Sequence, residues 1–563
     1  MEVSDNIGSA FSSTPQTWAS IDWQQVRRNV RGIQIRIAKA TRESDWRRVK
    51  ALQRMLTRSF SAKAWAVKRV TENQGKRTSG VDRELWDTPE GKLRAIGKLN
   101  SRGYKPLPLR RVYIPKSNGK ERPLGIPTMR DRAMQALYHM ALDPVSEVTS
   151  DTNSYGFRIN RSTADAGEYL FNSLAKPLSA KWVLEADIAG CFDNISHEWL
   201  LAHIPMNKQV LRKWLKAGVL FKGRFQDTVA GTPQGGIISP TLANMALNGL
   251  ENGLRQHLKR ELGTVNTIRS KINVTRYADD FVVTGNTKEL LDEKVKPWVV
   301  SFLAQRGLSL SAEKTRITHI EDGFDFLGWN FRKYSGKFLM KPSKKNVLSF
   351  FRNIREAVNA NKTVKQFDLI RLLNPKLRGW TLYHRHAVAK ETFNHMKYLV
   401  FDLTWRWATR RHPNKSRNWV RRRYFQTIEA RQWVFATNYA KDSAVLFDPT
   451  RIPIKRHIKI RGNYNPYDPQ WEMYGEVRQQ QRLSDQMQHR REWSSLYKTQ
   501  RGKCALCGGM ITKETGWHDH HIEYRLHGGS DALQNRVLLH PACHQRVHNL
   551  GLTVVKPAPL KGA

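Results

Sequence analysis

Apolar residues recur at spacings of three and four through the first part of the chain. Trp23, Val26, Val30, Ile33 and Ile37 form one stripe, and Trp46, Val49, Leu52 and Leu56 form another. That period predicts amphipathic helices with arginines and lysines on their outer faces. The stretch Thr78-Ser79-Gly80-Val81-Asp82 then reads as a turn-rich loop. From about Tyr104 to Tyr334, short apolar runs of strand length alternate with helical stretches, which predicts an α+β body. Beyond Pro342 the helical spacing returns, with Leu369, Leu372 and Leu373 on one face. From about Ala444 to Gln486, Pro449, Pro453, Pro466 and Pro469 stand among basic and aromatic residues and give the segment the character of a linker.

One element of the α+β region carries chemistry. Tyr277-Ala278-Asp279-Asp280 lies between Ile272-Asn273-Val274 and Phe281-Val282-Val283, so it predicts a hairpin whose tip presents adjacent carboxylates. Crowded carboxylates repel unless a cation neutralises them, and Mg²⁺ takes oxygen ligands of this kind. Upstream, Trp182-Val183-Leu184-Glu185-Ala186-Asp187-Ile188 reads as a buried strand ending at Asp187. Three aspartates from two neighbouring strands could hold two metal ions for nucleotidyl transfer. Lys116 and Arg122 flank the turn Ser117-Asn118-Gly119. Two cations on one hairpin could clamp a triphosphate. Near the far end, Cys504-x-x-Cys507 and His540-x-x-Cys543 have the spacing of a tetrahedral zinc site. The remaining cysteine, Cys191, reads as a small buried residue beside the Asp187 strand.

Charge narrows the partner. Lys and Arg number 95 against 49 acidic residues in 563, a formal net charge of +46. That excess points to a polyanion, whose condensed counterions are released when lysines and arginines contact phosphates. Eighteen tryptophans argue for packed cores, and the length calls for several of them. No long uncharged apolar run occurs and Met1 to Pro15 lacks a signal-peptide pattern, so a soluble, cytoplasmic protein is expected, without a membrane. Arg410, Arg411, Lys415, Arg417, Arg421, Arg422 and Arg423 are interleaved with Trp405, Trp407, Trp419 and Tyr424. Such a surface suits nucleic acid, with charge on the backbone and rings stacking on unpaired bases.

Seven blocks in order carry a resemblance to one family. They are Arg111-Val112-Tyr113-Ile114-Pro115-Lys116, Arg122-Pro123-Leu124-Gly125-Ile126-Pro127-Thr128, Tyr155-Gly156-Phe157-Arg158, Asp187-Ile188-Ala189-Gly190-Cys191-Phe192-Asp193, Gly231-Thr232-Pro233-Gln234-Gly235-Gly236, the aspartate hairpin, and Phe326-Leu327-Gly328-Trp329. With these the chain resembles the maturase-type reverse transcriptases encoded by bacterial group II introns. Asn374-Pro375-Lys376-Leu377-Arg378-Gly379-Trp380 resembles the thumb signature of that family, domain X. Cys504, Cys507, His520-His521, Asn535, His540, Cys543, His544 and His548 resemble a zinc-stapled HNH nuclease module.

The resemblance implies roles. Asp187, Asp279 and Asp280 form the polymerase centre with two Mg²⁺, Asp280 binding metal less directly. Lys116, Arg122, Gln234 and Lys314 meet the incoming deoxynucleoside triphosphate, and the Phe192 ring lies where it would clash with a 2′-hydroxyl. In the nuclease, His521 is the general base, an imidazole exchanging protons near neutral pH. His520, His544 and His548 are candidate ligands of a divalent ion, taken as Mg²⁺. Asn535 holds backbone and His521 in place, and Cys504, Cys507, His540 and Cys543 hold Zn²⁺. Many relatives carry Cys where this chain has His540, and His518 and Asp519 leave a shifted register open.

The expected organisation is therefore multidomain α+β. It comprises an N-terminal extension and start of the fingers at 1–100, which in the family helps grip RNA, and reverse-transcriptase fingers and palm at 101–338. A helical thumb follows at 339–440, a DNA-binding segment at 441–488 and a ββα-metal HNH module at 489–563. Partners implied are the intron's own RNA as a lariat ribonucleoprotein and double-stranded target DNA, with nucleoid association when acting on DNA. A homodimer is left open. Two other readings compete: a splicing maturase with an idle polymerase, and a reverse transcriptase of another lineage.

Overall fold

A computed structural model describes residues 15, 17–115, 121–232, 235–439, 442–487, 491–512, 515–523 and 532–557. The first predicted stripe becomes the helix Trp23–Arg42 and the second Trp46–Arg58, followed by Phe60–Glu72. Side-chain caps start the second and third: Asp45 accepts from the Arg48 amide and Ser59 from the Ala62 amide, satisfying donors a helix start leaves open. Val26, Val30, Ile33, Ile37, Val49, Leu52 and Leu56 are buried against the long helix Met129–Thr149, whereas Trp46 stays 42% exposed.

Two sheets frame the body. In the region expected as the fingers, Leu109–Pro115 pairs antiparallel with Glu121–Ile126 and parallel with Val219–Phe221, which Arg224–Gln226 extends. In the region expected as the palm, Asn273–Tyr277 and Asp280–Gly285 form the predicted hairpin, and Trp182–Asp187 lies between its second arm and Arg316–His319. Val282, Val283, Val183 and Leu184 are fully buried, so helices cover both faces and the strands read as continuous apolar runs. The register sets Asp187 directly across from Asp280, and Asp280 across from Tyr277.

Beyond a three-strand sheet of Phe324–Phe326, Trp329–Tyr334 and Lys337–Pro342, the helices Lys344–Ala360, Gln366–His384 and Lys390–Arg411 build a separate core. The region expected as a helical thumb also carries strands: after Arg417–Tyr424 comes a sheet of Phe425–Ile428, Arg431–Tyr439 and Asp442–Val445, which runs past residue 440. The last core is small and holds the hairpin His518–His521 with Arg536–Leu539 and the helix Pro541–Leu550.

The segment between thumb and last module is packed rather than loose. The fully buried carboxylate of Asp165 accepts from the Ile460 amide (2.8 Å) and from Arg478 (3.0 Å), and pairs with the His457 ring (2.9 Å). The Tyr467 hydroxyl donates to buried Asp143, and Tyr464 receives the Asn160 amide at 2.6 Å. Ile460 and Tyr464 join the core beneath Tyr155 and Trp329. No helix among the described residues is long and apolar enough to cross a membrane.

Candidate functional sites

The tip of the palm hairpin turns through Ala278 at φ +59°, a left-handed conformation that an L-residue holds only under constraint from its surroundings. Arg276, fully buried, supplies that constraint. Its guanidinium donates to the Ala278 carbonyl (3.2 Å), to Asn244 (3.1 Å) and to Asn248 (3.1 Å). Asn244 in turn donates to the Gly156 carbonyl at 2.8 Å. Gly156 lies so close under the turn that an added Cβ would stand 2.3 Å from the Ala278 nitrogen. The Tyr155 amide bonds the Arg276 carbonyl, and the Arg276 amide bonds the Asn153 carbonyl, so the block around Gly156 runs alongside the hairpin.

Above this support the three aspartates gather. Burial, a hydrogen bond with Asp187 and the charge of Asp279 push Asp280 up to about 7, although one side of it remains open to solvent. Asp279 is also raised, by burial and then by the charge of Asp187, while Arg122 and Lys314 pull it down. Lys314 reaches Asp187 at 2.7 Å, and that bond raises the ammonium's own pKa. Crowded carboxylates facing two cations form a donor set that a divalent ion fits, since the ion removes the repulsion that protonation otherwise relieves. Cys191 is buried beside them, its thiol pushed up to about 12 by burial and by Asp279.

Phe192 sits at the palm's edge, its ring edge-on to Phe157 at 6.2 Å, and its carbonyl accepts the Thr232 amide at 2.6 Å. Gly231, at φ +83°, makes that approach possible, because a Cβ there would meet the Phe192 oxygen at 2.6 Å. Lys116 and Gln234 lie outside the described residues. Arg276 and Asn244 did not emerge from the sequence pattern. The available signal was an arginine inside a strand whose neighbours, Val274 and Thr275, are buried.

In the C-terminal module the Sγ atoms of Cys504, Cys507 and Cys543 and a ring nitrogen of His540 lie within 4.8 Å of one another. His540 turns Nδ1 toward the sulfur of Cys507 (3.3 Å) and Nε2 toward the Met510 carbonyl (3.0 Å). With the proton on Nε2, a bare Nδ1 completes a Cys₃His set of the kind zinc takes. His540 therefore serves as the fourth donor of the cluster. His520, His544 and His548 form a second group within 4.8 Å. The Nε2 atoms of His544 and His548 are 3.2 Å apart, a distance at which two bare nitrogens repel unless a proton or cation lies between them. His521 follows His520 in the strand and so points to the opposite face. The Asn535 side chain grips the backbone of Glu523 twice, accepting from its amide at 2.8 Å and donating to its carbonyl at 2.9 Å. Asp519 is engaged by Arg536 and by the Trp493 indole (2.9 Å), which removes it from the histidine face.

On the thumb, the interleaved aromatics divide. Trp407 and Tyr424 are core, whereas Trp419 is 38% exposed beneath Lys415, and Arg421 lies 4.8 Å over the exposed Trp433.

Comparison with known proteins gives four family matches in order along the chain. N-terminal domain of reverse transcriptase covers residues 18–99, and reverse transcriptase (RNA-dependent DNA polymerase) covers 114–331. Group II intron, maturase-specific domain covers 347–425, and HNH endonuclease covers 504–550. Protein YkfC of Escherichia coli (strain K12) is 34% identical over half of this chain and 82% of its own length. Group II intron-encoded protein LtrA of Lactococcus lactis subsp. cremoris is 28% identical over 58% of this chain, which spans 64% of LtrA. An uncharacterized 91 kDa protein in the cob intron of Schizosaccharomyces pombe is 30% identical over 47% of this chain and 39% of its own length.

Proposed function

Because this chain belongs to the group II intron-encoded proteins that join reverse transcriptase, maturase and HNH endonuclease domains, we propose that it copies its intron RNA into DNA from a primer end that its own nuclease creates. The observation that carries the reading is the meeting of Asp187, Asp279 and Asp280 at one point of the palm, over a turn that Arg276 holds rigid. Asp187 and Asp279 would be the direct ligands of two Mg²⁺ ions, with Asp280 beside them. Bound there, such ions supply activation of the primer 3′-hydroxyl and neutralisation of the departing pyrophosphate. Arg122 and Lys314 add positive charge where the triphosphate lies. Lys116 and Gln234 complete the nucleotide contacts, and the Phe192 ring excludes ribonucleotides.

In the nuclease, His520, His544 and His548 would hold a divalent ion, which would supply charge to stabilise the phosphate being cleaved, and His521 would take a proton from the attacking water. Asn535 fixes the backbone that follows His521, and the Cys₃His cluster holds a structural Zn²⁺. The thumb and N-terminal helices bind the intron RNA and stabilise its catalytically active fold, which assists splicing. The ribonucleoprotein inserts that RNA into one strand of a double-stranded DNA site, the HNH module cuts the other, and the new 3′-hydroxyl primes reverse transcription.

Two variants test the two halves. Primer extension on an RNA template with Mg²⁺ and deoxynucleotides should proceed with wild type and stop with Asp279→Ala. Target DNA incubated with intron ribonucleoprotein should be cut on both strands by wild type and on one only with His521→Ala. Extension by Asp279→Ala, or second-strand cleavage by His521→Ala, would overturn the assignment concerned.

A further inference from the structure

His518 belongs to none of the ligand or base positions assigned above, yet it stands on the histidine side of the nuclease. It precedes His520 by two residues in the strand His518–His521, so both rings project from the same face. The His518 and His544 rings meet edge to face at 5.0 Å, with Nδ1 of one 3.3 Å from Nδ1 of the other. The opposite nitrogen of His544, Nε2, is the one that faces His548 Nε2 at 3.2 Å. His544 is therefore contacted at both ends, by the ligand cluster through Nε2 and by His518 through Nδ1.

This geometry dictates the proton positions. A neutral imidazole carries one N–H, and a metal ligand must leave its ligating nitrogen bare. For His544 to offer Nε2, its proton must sit on Nδ1. An N–H on Nδ1 needs an acceptor, and the Nδ1 lone pair of His518 lies within reach. His518 then carries its own proton on Nε2. We infer that His518 is a positioning residue of the nuclease centre: it accepts the Nδ1–H of His544, which fixes that ring's tautomer and orientation and points Nε2 at the divalent ion. Metal-bound histidines commonly depend on such a partner, and losing it typically weakens metal binding by about 10- to 100-fold. Among the described residues His518 meets the cluster from the far side of His544, so its ring stands outside the set of three ligand candidates.

The inference rests on the reading of His520, His544 and His548 as ligands, and the test separates the two. Full-length protein loaded with zinc is titrated with Ni²⁺, an ion that favours imidazole, by calorimetry. Wild type is compared with His518→Ala, His518→Asn and His520→Ala, with zinc content as the control for an intact module. Asn is the informative replacement, since its Oδ1 stands about where Nδ1 stood and can accept the same proton without offering an imidazole. The expected result is loss of the site's Ni²⁺ event in His520→Ala, a 10- to 100-fold weaker Kd in His518→Ala, and a Kd within about threefold of wild type in His518→Asn. Equal binding by wild type and His518→Ala would overturn the inference while leaving the ligand set standing. Equal weakening by Ala and Asn would overturn it as well, by making the ring itself a ligand. Should His518→Ala lose its zinc, His518→Asn alone decides by the same limits. Unchanged Ni²⁺ binding in His520→Ala would instead remove the ligand set itself, and the inference with it.

Discussion

Replacing Gly156 by alanine adds one methyl group under the aspartate turn, and its effect can be worked from the contact. The new Cβ would stand 2.3 Å from the Ala278 nitrogen and 3.0 Å from both the Ala278 Cα and the Tyr277 carbonyl carbon. Ordinary contact begins near 3.4 Å, so the two backbones must part by about 1 Å. Neither can give cheaply. Gly156 is held through its carbonyl by Asn244, and Ala278 through its carbonyl by Arg276, which also bonds Asn244. The displacement therefore passes to Asp279, the next residue. A misplacement of about 1 Å at a reacting centre costs about a hundredfold in rate, or about 3 kcal/mol of barrier. Overpacking of this size costs about 1–3 kcal/mol of stability, so the variant should still fold at room temperature. Single-turnover primer extension at saturating deoxynucleotide reads the chemical step directly. Gly97→Ala serves as the control, because its Cβ would meet nothing within 4 Å in the helix Pro89–Lys98. Extension by Gly156→Ala within threefold of Gly97→Ala would refute the claim that this contact sets the position of Asp279.

The crowding of the carboxylates predicts a pH dependence. Asp280 stays protonated up to about 7 in the folded protein but only to about 3.9 in an unfolded chain. The folded state thus binds more protons between those values, and its stability falls as pH rises through the window. Without divalent metal, Asp280→Asn should melt above wild type at pH 8, with the gap closing toward pH 5; a gap independent of pH, read by differential scanning fluorimetry, would remove Asp280 as its source. The Cys₃His cluster predicts separable unfolding. Zinc chelation, or His540→Ala, should expose residues 491–557 to protease and abolish DNA cleavage while primer extension persists; retention of cleavage after zinc is removed would refute the structural role of the metal.

The parts of the site legible in sequence are those where chemistry and periodicity coincide. Asp279 and Asp280 stood out because two β-prone runs bracket a polar tip, and Asp187 because it ends a buried run. The zinc set was legible from the spacing of two pairs, including His540. Arg276 and Asn244 were not, because a buried arginine has the same letter as a surface one and its partners lie on elements far along the chain. The segment around Ile460 misled through its prolines: they break local structure, but its order comes from Asp165, nearly 300 residues earlier in sequence, and no local pattern records that contact. Trp46 misled in the opposite sense, keeping helical phase with Val49 while remaining at the surface. The sheet that ends the thumb went unread because its strands follow directly on a strongly basic helix.

The Asp165 anchor also sets the footing of the helix Glu472–Met487. After Val445 the chain stays against the thumb, where Lys390 donates to the Thr450 and Ile452 carbonyls and the Lys455 amide bonds the Arg385 carbonyl. His457 and Ile460 then fasten it to Asp165, as does Arg478 from within the helix Glu472–Met487. That helix of sixteen residues is about 24 Å long and is held to Asp165 near its middle, through Arg478. One buried carboxylate thus serves as the datum for the helix that points toward the last module, and a change at Asp165 would be felt at Arg478, 313 residues later.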